Sequence, residues 1–148
     1  YVDVYLMSDV QDLTTPLNGY FVRIGETADH VVLNRLSAGT ATMLLASPDE
    51  CLFTLFQMMP DRSLGYCAKH ALLSALLCEL TAQKLQVPDL LRPVLFRSAL
   101  TMNISMAKQQ DAMARQTNAP TPEQQRLIQD HPRLSVDILQ GFGVVEGH

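Results

Sequence analysis

Hydrophobic residues recur at helical spacing through most of the chain after position 46 and much less regularly before it. Two polar segments divide this pattern, Ser47-Pro48-Asp49-Glu50 and Thr121-Pro122-Glu123-Gln124. Each has a hydroxyl residue first, a proline second and Glu or Gln three positions after the hydroxyl, which is typical of a capping box at the start of a helix. The pattern therefore predicts a mainly α-helical bundle of five or six helices.

The first two predicted helices of this bundle differ in their surroundings. One begins at Pro48 and runs to about Met59, with Leu55 and Phe56 among its buried residues. The next, over 64–86, is apolar on nearly all sides, which is typical of a central, buried helix. We therefore expect the helix over 64–86 to lie at the centre of the core.

Residues 1–46 form an N-terminal region whose structure the sequence leaves open. Short apolar alternation, compatible with strands, is mixed here with glycine and with Pro16. Residues 29–45 are alternatively a helix capped by Asp29 and interrupted at Gly39. We accordingly divide the chain into this region and a helical domain over 47–148.

Composition places the chain among ordinary globular proteins. It has 148 residues, 47% hydrophobic and 18% charged, with a net charge of −4. Its apolar runs are far shorter than the roughly 20 residues that span a bilayer. A pI near 5.4 and the lack of a Lys/Arg cluster argue against a nucleic-acid partner. These features predict a soluble protein with neither a membrane nor a nucleic-acid partner.

The cysteines point to a reducing compartment. Cys51, Cys67 and Cys78 are odd in number, form no C-x-x-C motif and fall within apolar helical segments. We therefore expect buried free thiols and a cytoplasmic location.

Two of the histidines, His70 and His131, are candidate functional residues. His70 falls within the central apolar helix, one turn from Tyr66, whereas His131 ends a predicted helix because Pro132 has no N–H group to continue it. A second short helix is predicted after that proline, from 133 to 140. The usual zinc-protease, hydrolase and nucleotide-binding motifs are absent from the sequence. Spacing alone therefore favours structural roles for both histidines.

The order of several elements resembles the HD superfamily of metal-dependent phosphohydrolases, and within it the HD-GYP branch. About half of the chain carries the resemblance. Its elements are His70, the stretch Ala99-Leu100-Thr101-Met102-Asn103-Ile104-Ser105-Met106, Thr121-Pro122-Glu123, Ile128-Gln129-Asp130-His131-Pro132 and Ile138-Leu139. The resemblance implies an HD-domain-like helical bundle and makes His70 and His131 vestigial metal-ligand candidates.

The chemistry-bearing positions depart from that family. Its His-Asp pair falls on Met102-Asn103 and its lysine falls on Met106. An HD site needs the aspartate because an anionic oxygen charge-balances the metals that acidify the attacking water. Neither an amide nor a thioether supplies that charge. The resemblance therefore implies a degenerate site with no catalytic residues and no resident cofactor.

The same positions also fit a core stripe. Leu95, Ala99, Met102 and Met106 recur at i, i+4, i+7 and i+11, which predicts that the two methionines fill space that metals occupy in active relatives. Asn103 would then lie near a helix interior and need a partner, with His70 and His131 as candidates.

The leading functional hypothesis is a catalytically inactive signalling or scaffolding domain of a bacterial cytoplasm. It would act through a protein partner, through self-association or by sensing a cyclic dinucleotide. One alternative is a phosphohydrolase that uses a divalent metal such as Fe or Mn and takes ligands from residues beyond His148, where the family's further histidine pair and G-Y-P motif would lie. The other alternative is a structural dimerisation domain.

Overall fold

A computed structural model describes Gly19 and residues 30–61 and 65–143 of the chain. The elements are α1 (His30–Ala46), α2 (Pro48–Met58), α3 (Tyr66–Lys84), α4 (Arg92–Thr101), a 3₁₀ turn (Ile104–Met106), α5 (Ala107–Met113) and α6 (Pro122–Gly141). Throughout these described ranges the secondary structure is helical, with six α-helices and no strand. The predicted mainly α class and helix number are confirmed. The possible early strands and the Asp29 cap lie outside the described residues.

Helix α3 lies at the centre of the core, as predicted. Its fully buried Leu72 and Leu76 pack in one cluster with Leu44 of α1, Leu55 of α2 and Leu100 of α4. Burying one such leucine stabilises the fold by about 1.5–3 kcal/mol. Because Leu44 belongs to this cluster, α1 shares a core with the helices that follow position 47.

The surface of α3 is less uniformly apolar than the sequence pattern indicates. Leu77 is 42% exposed, whereas the charged side chains of Lys69 and Glu79 are buried. Phe56 of α2 also corrects the prediction, because it is 56% exposed while Leu55 beside it is buried. On α2 the core-facing positions are instead Cys51, Thr54, Leu55 and Met58, which recur at helical spacing.

Helix α1 continues through Gly39, where an interruption was predicted. The position is exposed, and a β-carbon added there would meet no atom within 4 Å. Glycine lowers helix stability because its backbone is more flexible than that of alanine, but it keeps both backbone hydrogen-bonding groups. The helix therefore tolerates it without a break.

The two predicted capping boxes have different outcomes. At Thr121 the box is complete, since Thr121 Oγ1 accepts from the Gln124 backbone N–H and Gln124 Oε1 accepts from the Thr121 N–H. Ser47 makes no capping hydrogen bond. Its ψ is 73°, against 164° at Thr121, because α1 ends one residue before it and α2 begins one residue after it. Pro48 still occupies the first position of α2.

Helix α4 ends earlier than the predicted stripe requires. After Thr101 the chain turns through residues 102–103 into the 3₁₀ turn, so the i, i+4, i+7, i+11 register is lost. Leu95 is 38% exposed and Met102 is half-buried, whereas Met106 is buried. A continuous core stripe through these residues was therefore a wrong prediction.

None of the described helices is both long enough and apolar enough to cross a lipid bilayer.

Candidate functional site

The stretch Met102–Met106, where the sequence resemblance placed the HD motif, forms a tight connection between α4 and α5. Asn103 adopts φ −106° and ψ 16°, and its carbonyl accepts from the Met106 N–H at 3.0 Å. Ile104 and Met106 are 2% and 6% exposed. Asn103 consequently stands at the start of a 3₁₀ turn, not within a helix, and its side chain makes no capping hydrogen bond.

Two serines fasten this connection to α6. Ser105 Oγ donates to the carbonyl of His131 at 3.0 Å, and the Ser105 N–H donates to Ser135 Oγ at 3.3 Å. Ser135 Oγ lies 3.0 Å from both the Met102 carbonyl and Ser105 Oγ. We call this network the serine joint: Met102, Ser105, His131 and Ser135.

The number of hydroxyl protons fixes how the serine joint is bonded. Each hydroxyl carries one proton, and the proton of Ser105 goes to the His131 carbonyl. Ser135 therefore donates either to the Met102 carbonyl or to Ser105 Oγ at any moment. Since Ser135 is only 3% exposed, both arrangements stay inside the protein and hold α6 against the turn.

His131 has a structural role that results from the proline next to it, Pro132. Helix α6 runs unbroken through Pro132, which contradicts the predicted division into two helices. Pro132 has no N–H for the carbonyl four residues earlier, and that carbonyl belongs to Ile128. His131 Nδ1 lies 2.6 Å from this oxygen, so the ring must carry its proton on Nδ1 and donate it there. The imidazole replaces the missing backbone donor.

His70 lies elsewhere, on α3. Its ring stacks on Tyr66 with centroids 5.7 Å apart, and Nδ1 is buried without a hydrogen-bond partner. Burial lowers the pKa of His70 below its ordinary value, so the imidazole is neutral at pH 7. Neither histidine pairs with Asn103 through its Nδ1 atom, although both were candidate partners. Nδ1 of His70 has no partner, and Nδ1 of His131 is bonded to the Ile128 carbonyl.

The donors at the aligned positions do not fit a hydrolytic metal centre. The serine joint brings the Met102 and His131 backbones together, but Asn103 and the two methionines offer no anionic oxygen. In the described ranges, no group of three or more His, Cys, Asp or Glu side chains is arranged to hold a metal ion.

A cavity of about 660 Å³ adjoins this connection. Met106 lines it, together with Tyr66, Lys69, Gln110 and Asp111. Gln110 Oε1 is buried without a hydrogen-bond partner. Two of its polar residues, Lys69 and Asp111, bond the ends of neighbouring helices, and sequence reasoning missed both.

Lys69 satisfies the end of α2. It is 1% exposed, and its Nζ donates to the carbonyls of Met58 at 2.8 Å, Met59 at 3.4 Å and Asp61. Burial lowers the pKa of Lys69, and the carboxylates of Asp61 and Asp111 oppose that shift. The one sign in the sequence was a lysine placed among apolar core positions of a central helix.

Asp111 satisfies the start of α3. Gly65 precedes that helix and has no side chain for capping, so Asp111 of α5 accepts from the Cys67 N–H at 2.7 Å. Burial, with a smaller contribution from Asp111, raises the pKa of the Cys67 thiol to about 12. None of the three cysteines forms a disulfide; Cys51 and Cys67 are buried as predicted, and Cys78 is half-buried.

Comparison with known proteins gave no match to any family model, to any curated protein or to any solved structure. What the fold and site define is thus a class: an α-helical domain with pockets open to solvent and a hydrogen-bonded connection between α4 and α5 that is joined to α6 through Ser105 and Ser135.

Proposed function

We propose that the chain is a catalytically inactive, HD-like signalling or scaffolding domain that works by binding. One observation carries this proposal: the Met102–Met106 stretch is used to join α6 to the core through Ser105 and Ser135. In a working HD site the same stretch would present a charged ligand pair and a lysine. Here Ile104 and Met106 are buried, and the carbonyls of Met102 and Asn103 accept hydrogen bonds.

His70 and His131, the two candidate metal ligands, each make a structural contact that has no part in hydrolysis. His131 completes the hydrogen bonding of α6 at Pro132, and the half-buried ring of His70 stacks on Tyr66. The proposed partners are another protein, a second copy of the chain or a cyclic dinucleotide bound without turnover. The proposed setting is the bacterial cytoplasm.

Metal content and turnover test this proposal. The untagged chain is expressed in metal-supplemented medium, dialysed without chelator and analysed for Fe, Mn, Ni and Zn. We expect below about a tenth of an equivalent per chain, since the aligned positions lack an anionic ligand. We also expect no hydrolysis of bis(p-nitrophenyl) phosphate or of a cyclic dinucleotide above that of the His70→Ala, His131→Ala double variant.

A restoring variant provides the positive control. Met102→His with Asn103→Asp returns the missing ligand pair and is expected to raise bound metal above the level of the unaltered chain. The opposite result would be about one or two metal ions per unaltered chain, lost on His70→Ala together with turnover. That result would establish the phosphohydrolase alternative and overturn the proposal.

A dimerisation domain is the second candidate, favoured by one patch of leucines. Leu85, Leu90, Leu91 and Leu95, at the α3–α4 connection and the start of α4, are 71%, 89%, 53% and 38% exposed. Contiguous exposed apolar surface is typical of an interface. The expected result is a dimer by sedimentation velocity that Leu85→Ser with Leu90→Ser converts to a monomer. Phe53→Ser, on α2, is the matched control.

A further inference from the structure

A second pocket, of about 470 Å³, lies between α1 and α4, with Glu79 of α3 on its wall. We call it the α1–α4 pocket. Its volume is in the range of small-molecule sites. One wall is apolar and is formed by Ala38, Ala41, Leu45, Pro93 and Phe96. No residue of the serine joint lines it.

Two residues that line this pocket each carry a buried polar atom without a partner. Ser37 is 4% exposed and its Oγ makes no hydrogen bond. Arg97 Nε is likewise buried and unpaired, although Nη1 of the same guanidinium donates to Asn34 Oδ1 at 3.0 Å. Buried polar groups in proteins are almost always bonded, so each of these requires an explanation.

The usual local explanation for a helical hydroxyl does not apply to Ser37. Hydroxyl side chains within helices commonly bond the carbonyl four residues earlier. Thr42 of α1 does so with the Ala38 carbonyl at 2.9 Å, and Thr101 of α4 does so with that of Arg97 at 2.8 Å. Ser37 lies on the same helix as Thr42 and lines the pocket, but its buried hydroxyl makes no such bond.

The charges around the pocket favour an anion as the missing partner. Glu79 and Asp89 also line it, but both pair with Arg92, which donates to Glu79 Oε1 from Nε at 2.9 Å and to Asp89 Oδ1 from Nη1 at 2.9 Å. In the described part of the chain no carboxylate pairs with Arg97. A guanidinium N–H can donate but not accept, so its partner must be an acceptor, and an anionic one is bound most strongly.

We propose that the α1–α4 pocket binds a small amphipathic organic anion, whose carboxylate or phosphate group is held by Arg97 and Ser37 and whose apolar body lies on the wall of α1 and α4. This site is separate from the serine joint. It does not depend on whether the domain is catalytic.

Calorimetric titration of the intact chain tests the site with four probes below their micelle-forming concentrations. Octanoate and octyl phosphate carry both features of the ligand, octanol lacks the charge and inorganic phosphate lacks the apolar body. We expect at least one of the two amphipathic anions to bind at least tenfold more tightly than octanol and inorganic phosphate. Whichever of the two binds more tightly identifies the preferred head group.

Matched variants locate the binding. Arg97→Gln and Ser37→Ala are each expected to weaken binding of the preferred anion, by about tenfold or more for Arg97→Gln. Arg126→Gln and Ser98→Ala, at exposed positions, are expected to leave it unchanged. Ser37→Ala should not lower the melting temperature, because the hydroxyl has no partner to lose.

Three results would overturn the proposal. They are no binding of either amphipathic anion, equal binding of octanol, and anion binding that both pocket variants leave intact. Each would mean that the two unpaired atoms do not select a charged ligand.

Discussion

The carboxylate of Asp111 lies 2.7 Å from the backbone nitrogen of Cys67, a residue 44 positions earlier in the chain. A helix usually receives its N-terminal cap from the residue just before it, but Gly65 has no side chain to offer. The start of α3 is therefore stabilised by α5, and the most buried helix depends on a tertiary contact for its first turn.

Replacing Asp111 by alanine is expected to lower the free energy of unfolding by roughly 1–2 kcal/mol, the usual loss for a capping side chain. Asp111→Asn keeps an acceptor oxygen and should lose clearly less. Urea denaturation measures both. Asp130→Ala, at an exposed position of α6, is the control for removing a carboxylate. Equal losses for Asp111→Ala and Asp130→Ala would contradict the role of Asp111 as a cap.

Stability should fall in alkaline solution because of Cys67. The thiol has an ordinary pKa of 9.0 in the unfolded chain and a pKa of about 12 in the folded protein, raised chiefly by burial. Between these values the unfolded chain has lost the proton and the folded protein keeps it. The free energy of unfolding therefore declines with rising pH, by up to about 1.4 kcal/mol per pH unit.

Urea denaturation from pH 8 to 11 measures this decline in parallel for the unaltered chain and for Cys67→Ala. The difference between the two slopes isolates the thiol from tyrosines and lysines that titrate in the same range. A slope unchanged in Cys67→Ala would show that this thiol is not responsible.

His131 and Pro132 should be energetically coupled. His131→Ala removes the donor to the Ile128 carbonyl and is expected to cost about 0.5–1.5 kcal/mol. In a Pro132→Ala background the new backbone N–H can bond that carbonyl, so the same histidine substitution should cost less than half as much. A double-mutant cycle on urea denaturation measures the difference. Additive effects of the two substitutions would rule out this compensation.

Gly39→Ala is expected to stabilise the protein by about 0.5–1 kcal/mol. The position is helical and exposed, and the added methyl group meets no neighbour, so alanine lowers the entropy of the unfolded chain without strain. A higher urea midpoint at unchanged slope would show this. Gly143→Ala is the contrasting variant, because its φ of 77° strains any side chain, and it should destabilise. Stabilisation by both would contradict the conformational argument.

The periodic pattern was sufficient for the helices but not for their ends. Thr121 and Ser47 begin near-identical motifs, yet only Thr121 has the backbone angles that a capping side chain needs. The angles at Ser47 are set by the preceding helix, which the local motif does not include. The predicted helix break at Pro132 was wrong for a local reason, because the neighbouring side chain of His131 supplies the missing hydrogen bond.

The polar contacts in the interior could not be predicted from one sequence. Lys69 and Asp111 bond groups that lie 8 to 44 positions away in the chain. Their partners are backbone atoms, which every residue possesses, so the sequence holds no complementary residue to find. Ser37 and Arg97 are also far apart in sequence and meet at a pocket that exists only once α1 and α4 have packed.

Helix α6 buries few residues, and this affects the order in which parts of the protein unfold locally. Ser135 is its buried residue, and most of the helix otherwise faces solvent, whereas α3 has nine buried residues between Cys67 and Ala82. Segments with few buried contacts unfold locally at a lower free energy than the core. Amide hydrogen exchange should accordingly release α6 as a separate unit while α3 stays protected. His70 then lies on a helix that opens rarely and His131 on one that opens often. A metal bound by both histidines would have to keep the two helices together.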